Sequence, residues 1–329
     1  MEFRGLDLNL LVALDVLLEE KNITRTGERI HLCQSATSGL LAKLRDYFAD
    51  DLLVQVGHRM VLTPLAEDLI LPVRKVLQQV HLLIDNAKKF EPALSQKRFS
   101  IMCSDYIETV LAAAVLRRVK QEAPSVSVEL LPLTDASTEI LEHAEVDFMI
   151  APKSEISAFH PSATLFEDDY VCALWAGNPI VGEAISIEEY LALGHVCISF
   201  GRRRYHSWDE GLLQQMGYKR NVEVVASSFS VMPHYLIGTS RIATMHRRLA
   251  DYYCQILPLR VVELPFPALR LVEKLQWHQY LDHTLSHLWL RKIIKEEAAK
   301  AAAAPSIFDN MPASSPRETF ARDELAVPA

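Results

Sequence analysis

Between Thr63 and Ala87 apolar residues recur at alternating four- and three-residue intervals: Ala66, Ile70, Val73, Leu77, Val80, Ile84 and Ala87. That spacing keeps one stripe of a long helix apolar, and it is the seam pattern of a coiled coil over three heptads. Thr63 suits the N-cap, Pro64 the first helical position, and Glu67-Asp68 the first turn, where the dipole favours anions. Pro72 is expected to kink the helix locally. Such a seam serves either an amphipathic helix packed on its own domain or a helix joining two subunits. Its place between two globular regions favours the second, which assigns Ile70, Val73, Leu77, Val80 and Ile84 to dimerisation. The segment FEPALSQK, Phe90 to Lys97, then reads as a hinge, because Pro92 ends the helix and no pattern resumes until RFSIMC.

A chain of 329 residues, half of them hydrophobic, exceeds one ordinary core, so two or three domains are expected. No run of eighteen or more apolar residues occurs, and Glu2, Arg4 and Asp7 precede the first apolar stretch. Neither a membrane span nor a signal peptide is expected, which points to a soluble, cytoplasmic protein. Five scattered cysteines, Cys33, Cys103, Cys172, Cys197 and Cys254, form no C-x-x-C pair and fit reduced, mostly buried thiols. The formal net charge of −8 excludes a protein basic all over and leaves room for a local basic patch.

The first sixty residues read as three short helices and a hairpin. Leu10, Leu11, Leu14, Leu17 and Leu18 have helical spacing, Asn22 breaks the pattern, and a second helix runs from about Ile23 to Ile30, weakened by Gly27. In the third, Leu40, Leu41, Leu44, Phe48 and the methyl of Thr37 share a core side, while Ser35, Ser38, Ala42 and Arg45 share a face without bulk. Such a face lets a helix lie close against something, and Lys43 and Arg45 bias that approach toward negative charge, as in the major groove of DNA. The same face also suits packing under a neighbouring helix. What tips the balance is LLVQVGHRMVL, two short strands around Gly57-His58, which completes a winged helix-turn-helix.

Beyond the hinge, strands and helices alternate: Phe99 to Cys103 strand, Tyr106 to Glu122 helix, Val126 to Leu131 strand, Thr138 to His143 helix, Asp147 to Ala151 strand. This predicts an α/β region with a parallel sheet. A second alternating series spans about Leu165 to Leu264 before RLVEKLQWH and a last helix near Asp282 to Glu296. Two lobes with the chain returning to the first predict a small-ligand cleft between them. The segment from Ala298 on, an alanine run followed by Pro, Ser and charged residues, is expected to be a disordered tail.

Catalytic signatures are absent: there is no G-x-S-x-G elbow, no Walker loop and no G-x-G-x-x-G after a strand. No enzyme, cofactor or catalytic residue is expected. His283 and His287 lie four apart on a helix with His278 nearby, a metal-capable spacing, but no carboxylate or cysteine completes a conventional set, so no metal is expected.

Taken whole, the residues from Asp7 to Pro64 resemble the LysR-type transcriptional regulators. RGLDLNLLVALDVLL, LAKLRDYFADDLL and RRRYHSWDE are similar to the subgroup of nodulation and salicylate regulators. The resemblance implies an α/β chain with a winged helix-turn-helix at 1–62, a dimerisation helix at 63–91 and a two-lobed, periplasmic-binding-protein-like effector domain at 92–297. Lobe one would take 98–164 and 265–297, lobe two 165–264, and the tail 298–329. It implies DNA contacts by Arg25, Gln34, Ser35, Thr37, Ser38, Lys43, Arg45, His58, Arg59 and Thr63. It implies effector contacts by Ser104, Asp105, Tyr106, Ile107, Thr134, Phe200, Arg203, His206, Ser228 and Phe229. Independently, backbone N–H groups and the Ser104 hydroxyl at a strand end are suited to a carboxylate or phenolate. Arg202 to Arg204 and His206 would offset Asp105, and Phe200, Tyr205, Trp208 and Phe229 would supply aromatic walls. The implied partners are double-stranded DNA carrying an interrupted palindrome, a small aromatic effector, a homodimer or homotetramer, and RNA polymerase at an aromatic-catabolism operon under activation. The competing class is a solute-binding or sensing protein with a non-aromatic ligand, acting as a repressor. Two positions depart from the family pattern: Thr26-Gly27 replace two alanines, and Leu53 replaces a wing phenylalanine.

Overall fold

A computed structural model describes residues 6–57, 59–86, 90–200, 205–206, 213–214, 217–267 and 270–303. The N-terminal elements are α1 (Leu8–Glu20), α2 (Ile23–Arg29), α3 (Gln34–Phe48), β1 (Leu53–Val56), β2 (Arg59–Leu62) and α4 (Pro64–Asn86). Next come β3 (Arg98–Cys103), α5 (Asp105–Ile107), α6 (Ala113–Glu122), β4 (Ser127–Pro132), α7 (Ser137–Glu142), β5 (Phe148–Pro152), β6 (Ser162–Asp168) and β7 (Tyr170–Trp175). The remainder comprises α8 (Ile187–Ala192), β8 (Gly194–Phe200), β9 (Tyr205–His206), β10 (Asn221–Ala226), β11 (Ile242–His246), α9 (Arg247–Ile256), β12 (Leu259–Val262), β13 (Leu271–Gln276) and α10 (Leu285–Ala303).

The chain divides into two units. The first takes residues up to Ser104 with 114–164 and 274–295, and the second takes 105–113, 165–273 and the chain from Glu296. In the first unit α1 is capped by Asp7, whose carboxylate accepts from Leu10 N–H, and α2 by Asn22, which accepts from Arg25 N–H. Leu10, Leu14, Leu17 and Leu18 of α1 meet Leu41 and Leu44 of α3, with Leu52 and Leu53 closing the same core. Gly27 of α2 packs tightly against α3 and the turn before it: a Cβ there would lie 2.7 Å from Thr37 Oγ1 and 2.8 Å from the Leu32 carbonyl oxygen. The glycine that weakens helix propensity is therefore a packing requirement. Gly57, at φ +64°, turns β1 into antiparallel β2.

Thr63 caps α4 as its position predicts, accepting from Ala66 N–H at 3.2 Å while donating to Asp50 at 2.6 Å. Ala66, Val73 and Leu77 are buried in the core that α1 and α3 build. This stretch of the apolar seam therefore packs on its own domain, the alternative that the sequence left open. Val80 is half-buried, and the side chain of Ile84 lies outside the described residues.

One sheet has the strand order β4-β3-β5-β13-β6, with β3 parallel to both β4 and β5, as alternating elements predict. The other has the order β10-β8-β11-β7-β12 and is mixed: β8 runs parallel to β10 and β11, while β7 is antiparallel to β11 and β12. The expected single helix from Tyr106 to Glu122 is α5, a π turn over Glu108–Ala112 and α6. At the other end α10 continues through the alanine run to Ala303, so Ala298 to Ala303, expected as tail, are helical. Alanine is the strongest helix former, and Ala298 is fully buried.

A buried polar knot holds the first part of α10 in the first unit. His287 Nε2 donates to Asp147 at 2.6 Å, and the other oxygen of Asp147 accepts from both the N–H and the hydroxyl of Ser100. Burial alone would raise the Asp147 carboxyl, but the His287 bond and charge outweigh it and hold the group below its ordinary value. His283 is 93% exposed while His287 is 1% exposed, so the pair does not converge on one ligand position. Among the described residues, no group of three His, Cys, Asp or Glu side chains is placed to hold a metal. Cys103, Cys172 and Cys197 are buried, Cys254 is half-buried and Cys33 is exposed.

Candidate nucleic-acid interface and effector site

On α3 the residues Gln34, Ser35, Ser38, Ala42 and Lys43 are exposed while Leu41 and Leu44 are buried, which is the small-residue face that the helical spacing predicts. The helix starts at Cys33, which makes no side-chain cap hydrogen bond. Thr37 and Thr63 face inward. Thr37 is 2% exposed and its hydroxyl donates to the Cys33 carbonyl at 3.1 Å, while Thr63 joins α4 to Asp50. Their side chains build the domain beneath the surface.

Arg45 is also engaged. Its Nε donates to the Asp51 carbonyl at 2.8 Å and its Nη2 to the Leu53 carbonyl at 2.9 Å, which fixes the end of α3 to the start of the wing. Arg25 and Arg59 are exposed, and His58 lies outside the described residues. Arg29, by contrast, is tied to Glu19 and Glu20 of α1. The exposed cations of this segment thus include Arg25, Lys43 and Arg59, on a chain that is acidic overall.

In the second unit, the predicted ligand residues Asp105, Tyr106 and Phe229 come together with residues that the sequence did not single out. Asp105 accepts both the N–H and the hydroxyl of Ser230 at 2.7 Å, which pins the Ser228–Ser230 turn to α5. Tyr106 is fully buried; its hydroxyl donates to Asp168 at 2.5 Å and its ring lies 4.1 Å from His246. Phe166 and Phe229 each stand 6.4 Å from the Tyr106 ring, edge-on, and Phe229 lies 4.7 Å from His246. Burial pushes the Asp168 carboxyl up to about 6, against the bonds from Tyr106 and the Arg248 N–H. Burial, with the charge of Asp168, likewise raises Tyr106 well above an ordinary phenol. The Arg248 guanidinium sits 5.3 Å over Phe166 and donates to the Ala301 carbonyl near the end of α10.

Ile107 is buried beside Tyr106, and Ser228 is half-buried in the pinned turn. Ser104 and Thr134 belong to the first unit, where Thr134 is exposed and its N–H donates to the Ser137 hydroxyl. The Phe200 and His206 backbones lie in the paired strands β8 and β9, their side chains lie outside the described residues, and so does Arg203. Asp168, His246, Phe166 and Arg248 were not legible as site residues. The only local trace is the acidic doublet Asp168-Asp169 at a strand end.

Comparison with known proteins decides the class. Residues 8–67 match the bacterial regulatory helix-turn-helix model of the lysR family, and residues 92–299 match the LysR substrate binding domain. The chain belongs to the LysR family of transcriptional regulators. It is 42% identical to nodulation protein D of Bradyrhizobium sp. (strain ANU 289) over 303 residues, covering 92% of this chain and 90% of that one. It is also 42% identical to nodulation protein D 2 of Rhizobium tropici over 299 residues, covering 91% and 95% of the two chains. A probable transcriptional regulator from Pseudomonas aeruginosa superposes with a TM-score of 0.63 at 26% identity, covering 89% of this chain and 97% of that one. Full-length OxyR from the same organism shares the fold, with a TM-score of 0.67 at 17% identity and coverage of 89% and 94%. This LysR-type protein is therefore a DNA-binding transcriptional regulator with an effector-binding domain, and not an enzyme. No described helix is long and apolar enough to cross a membrane.

Proposed function

We propose that this regulator responds to a small aromatic effector and activates transcription of an aromatic-compound operon. The observation that carries the reading is the cluster of Tyr106, Phe166, Phe229 and His246 beside the polar residues Asp105, Ser230 and Asp168. Ring edges and faces recognise an aromatic body, and the Ser228–Ser230 turn offers hydrogen bonds to a phenol or carboxylate. The kinship with nodulation regulators supports the same class. In this reading Ser104, Thr134, Phe200, Arg203 and His206 are further effector contacts.

On DNA, Gln34, Ser35, Ser38 and Lys43 address base edges and backbone, Arg25 and Arg59 address phosphates, and two copies of α3 occupy an interrupted palindrome. Because Leu77 is committed to its own core, the dimer contact falls to the outer face of α4, where Val76 is 42% exposed and Val80 half-buried. Val76→Asp should therefore give a folded monomer by light scattering. RNA polymerase and a tetramer are part of the same proposal.

The test of the effector class is thermal unfolding of the full chain against phenols, chlorinated hydroquinones, salicylates and flavonoids, with aliphatic acids as the second panel. A ligand at about a hundredfold its Kd adds about 2.7 kcal/mol to the native state. The aromatic reading expects a saturable rise in melting temperature that Phe229→Ala removes. A rise with the aliphatic panel alone establishes the non-aromatic sensor instead.

A further inference from the structure

Arg74 of α4 joins three parts of the chain. Its Nε donates to Asp15 of α1 at 3.2 Å, and its Nη1 donates to Glu145, just past α7, at 2.6 Å. Asp15 belongs to the winged helix-turn-helix segment and Glu145 to the segment that matches the LysR substrate binding domain. The three groups are 28, 25 and 40% exposed in the order Asp15, Arg74, Glu145, which leaves one side of the triad to water.

The placement of Glu145 is built rather than incidental. Helix α7 ends with Ala144 at φ +52°, the Ala144 N–H reaches the Leu141 carbonyl, and the Glu145 N–H reaches the Ile140 carbonyl. This is a Schellman termination with alanine where glycine is usual, and it holds Glu145 at one fixed exit from the helix. Besides Arg74, His143 faces the same Glu145 oxygen, with its Nδ1 3.8 Å away. One residue along α4, the charge of Lys75 is felt by both His160 and His278, whose rings lie 4.5 Å apart. Arg74 thus touches the effector segment directly, and the neighbouring Lys75 adds a second positive charge within electrostatic range of it.

We propose that Arg74 is a positioning residue: the Asp15–Arg74–Glu145 triad fixes the winged helix-turn-helix relative to the first part of the effector domain and passes changes in either to the other. A guanidinium is suited to this, since one rigid fork serves two carboxylates at once. Coupling through it is reciprocal, because each carboxylate contributes to holding the guanidinium the other uses.

The test is hydrogen exchange on the full chain with Glu145→Gln, Arg74→Met and the double variant. Partly exposed ion pairs act on the scale of a few-fold in an equilibrium, so Glu145→Gln should raise amide exchange in α1 about two- to fivefold. Arg74→Met should raise it similarly, and Glu145→Gln should add nothing in the Arg74→Met background. In ~1 M salt, where the Debye length is about 3 Å, the wild type should approach the variants. Exchange in α1 unaffected by Glu145→Gln overturns the proposal. So does a Glu145→Gln increment that persists without Arg74, since that effect would not travel through the guanidinium.

Discussion

Replacing Asp168 by asparagine should change how stability depends on pH more than it changes stability itself. Asp168 is 6% exposed, and burial raises its carboxyl from 3.8 to about 6. A folded-state value above the unfolded one means that the native protein holds the proton more tightly. The contribution is complete below pH 3.8 and lost as pH rises through about 6. Each tenfold change in proton affinity is worth about 1.36 kcal/mol, so the loss reaches about 3 kcal/mol by pH 8, of which about half has already occurred at pH 5. Asparagine does not titrate. Urea unfolding of the full chain, followed by far-UV circular dichroism, should therefore show the Asp168→Asn variant gaining about 1.5 kcal/mol on wild type between pH 5 and pH 8. The absolute offset is set separately, because both Asp168 oxygens accept bonds, from Tyr106 and Arg248 N–H on one and Asp169 N–H on the other. Tyr106→Phe removes a bond that favours the carboxylate and should steepen the pH dependence, with the phenyl ring filling the same space. A stability difference that is flat with pH, or that moves toward wild type, would show that burial does not dominate Asp168.

Asp147→Ala should cost about 3 kcal/mol, read as a lower denaturation midpoint, because it strands the buried His287 and the Ser100 N–H. Ala144→Gly should raise stability by about 0.5–1 kcal/mol in the same assay, since glycine carries no Cβ penalty at φ +52°. Lys43→Ala should weaken DNA binding and reduce the slope of log K against log salt by about one, with the melting temperature unchanged. Arg45→Ala should instead lower the melting temperature, because its guanidinium holds the Asp51 and Leu53 carbonyls.

What the sequence reveals of this fold is local. Thr63 announces a helix start through a side chain that acts three residues along, and Gly57 announces the wing because its φ is positive. The two faces of α3 are legible for the same reason, since helical periodicity sorts Leu41 and Leu44 from Ser35 and Ser38. Partners far apart in the chain are not legible. The seam at Ala66, Val73 and Leu77 looks alike whether α1 of the same chain or a second subunit covers it, and only the folded core shows α1 there. Arg45 reads as a surface cation, yet its acceptors are backbone carbonyls, which carry no sequence signature. Asp168 stands 62 residues from Tyr106, and Asp147 stands 140 from His287, so neither bond leaves a spacing to find. The alanine run after Glu297 misled in the opposite direction, since composition suggested a tail where helix propensity and the burial of Ala298 extend α10.

In the proposed function, paired α3 helices bind an interrupted palindrome under the control of an aromatic ligand. The most direct measurement is a footprint of the full chain on duplexes selected from a random pool, with and without the aromatic compound that raises its melting temperature. Two protected half-sites separated by whole helical turns are expected, with the compound changing cleavage between them. A single uninterrupted site, or a pattern indifferent to a compound that demonstrably binds, would contradict the proposed function.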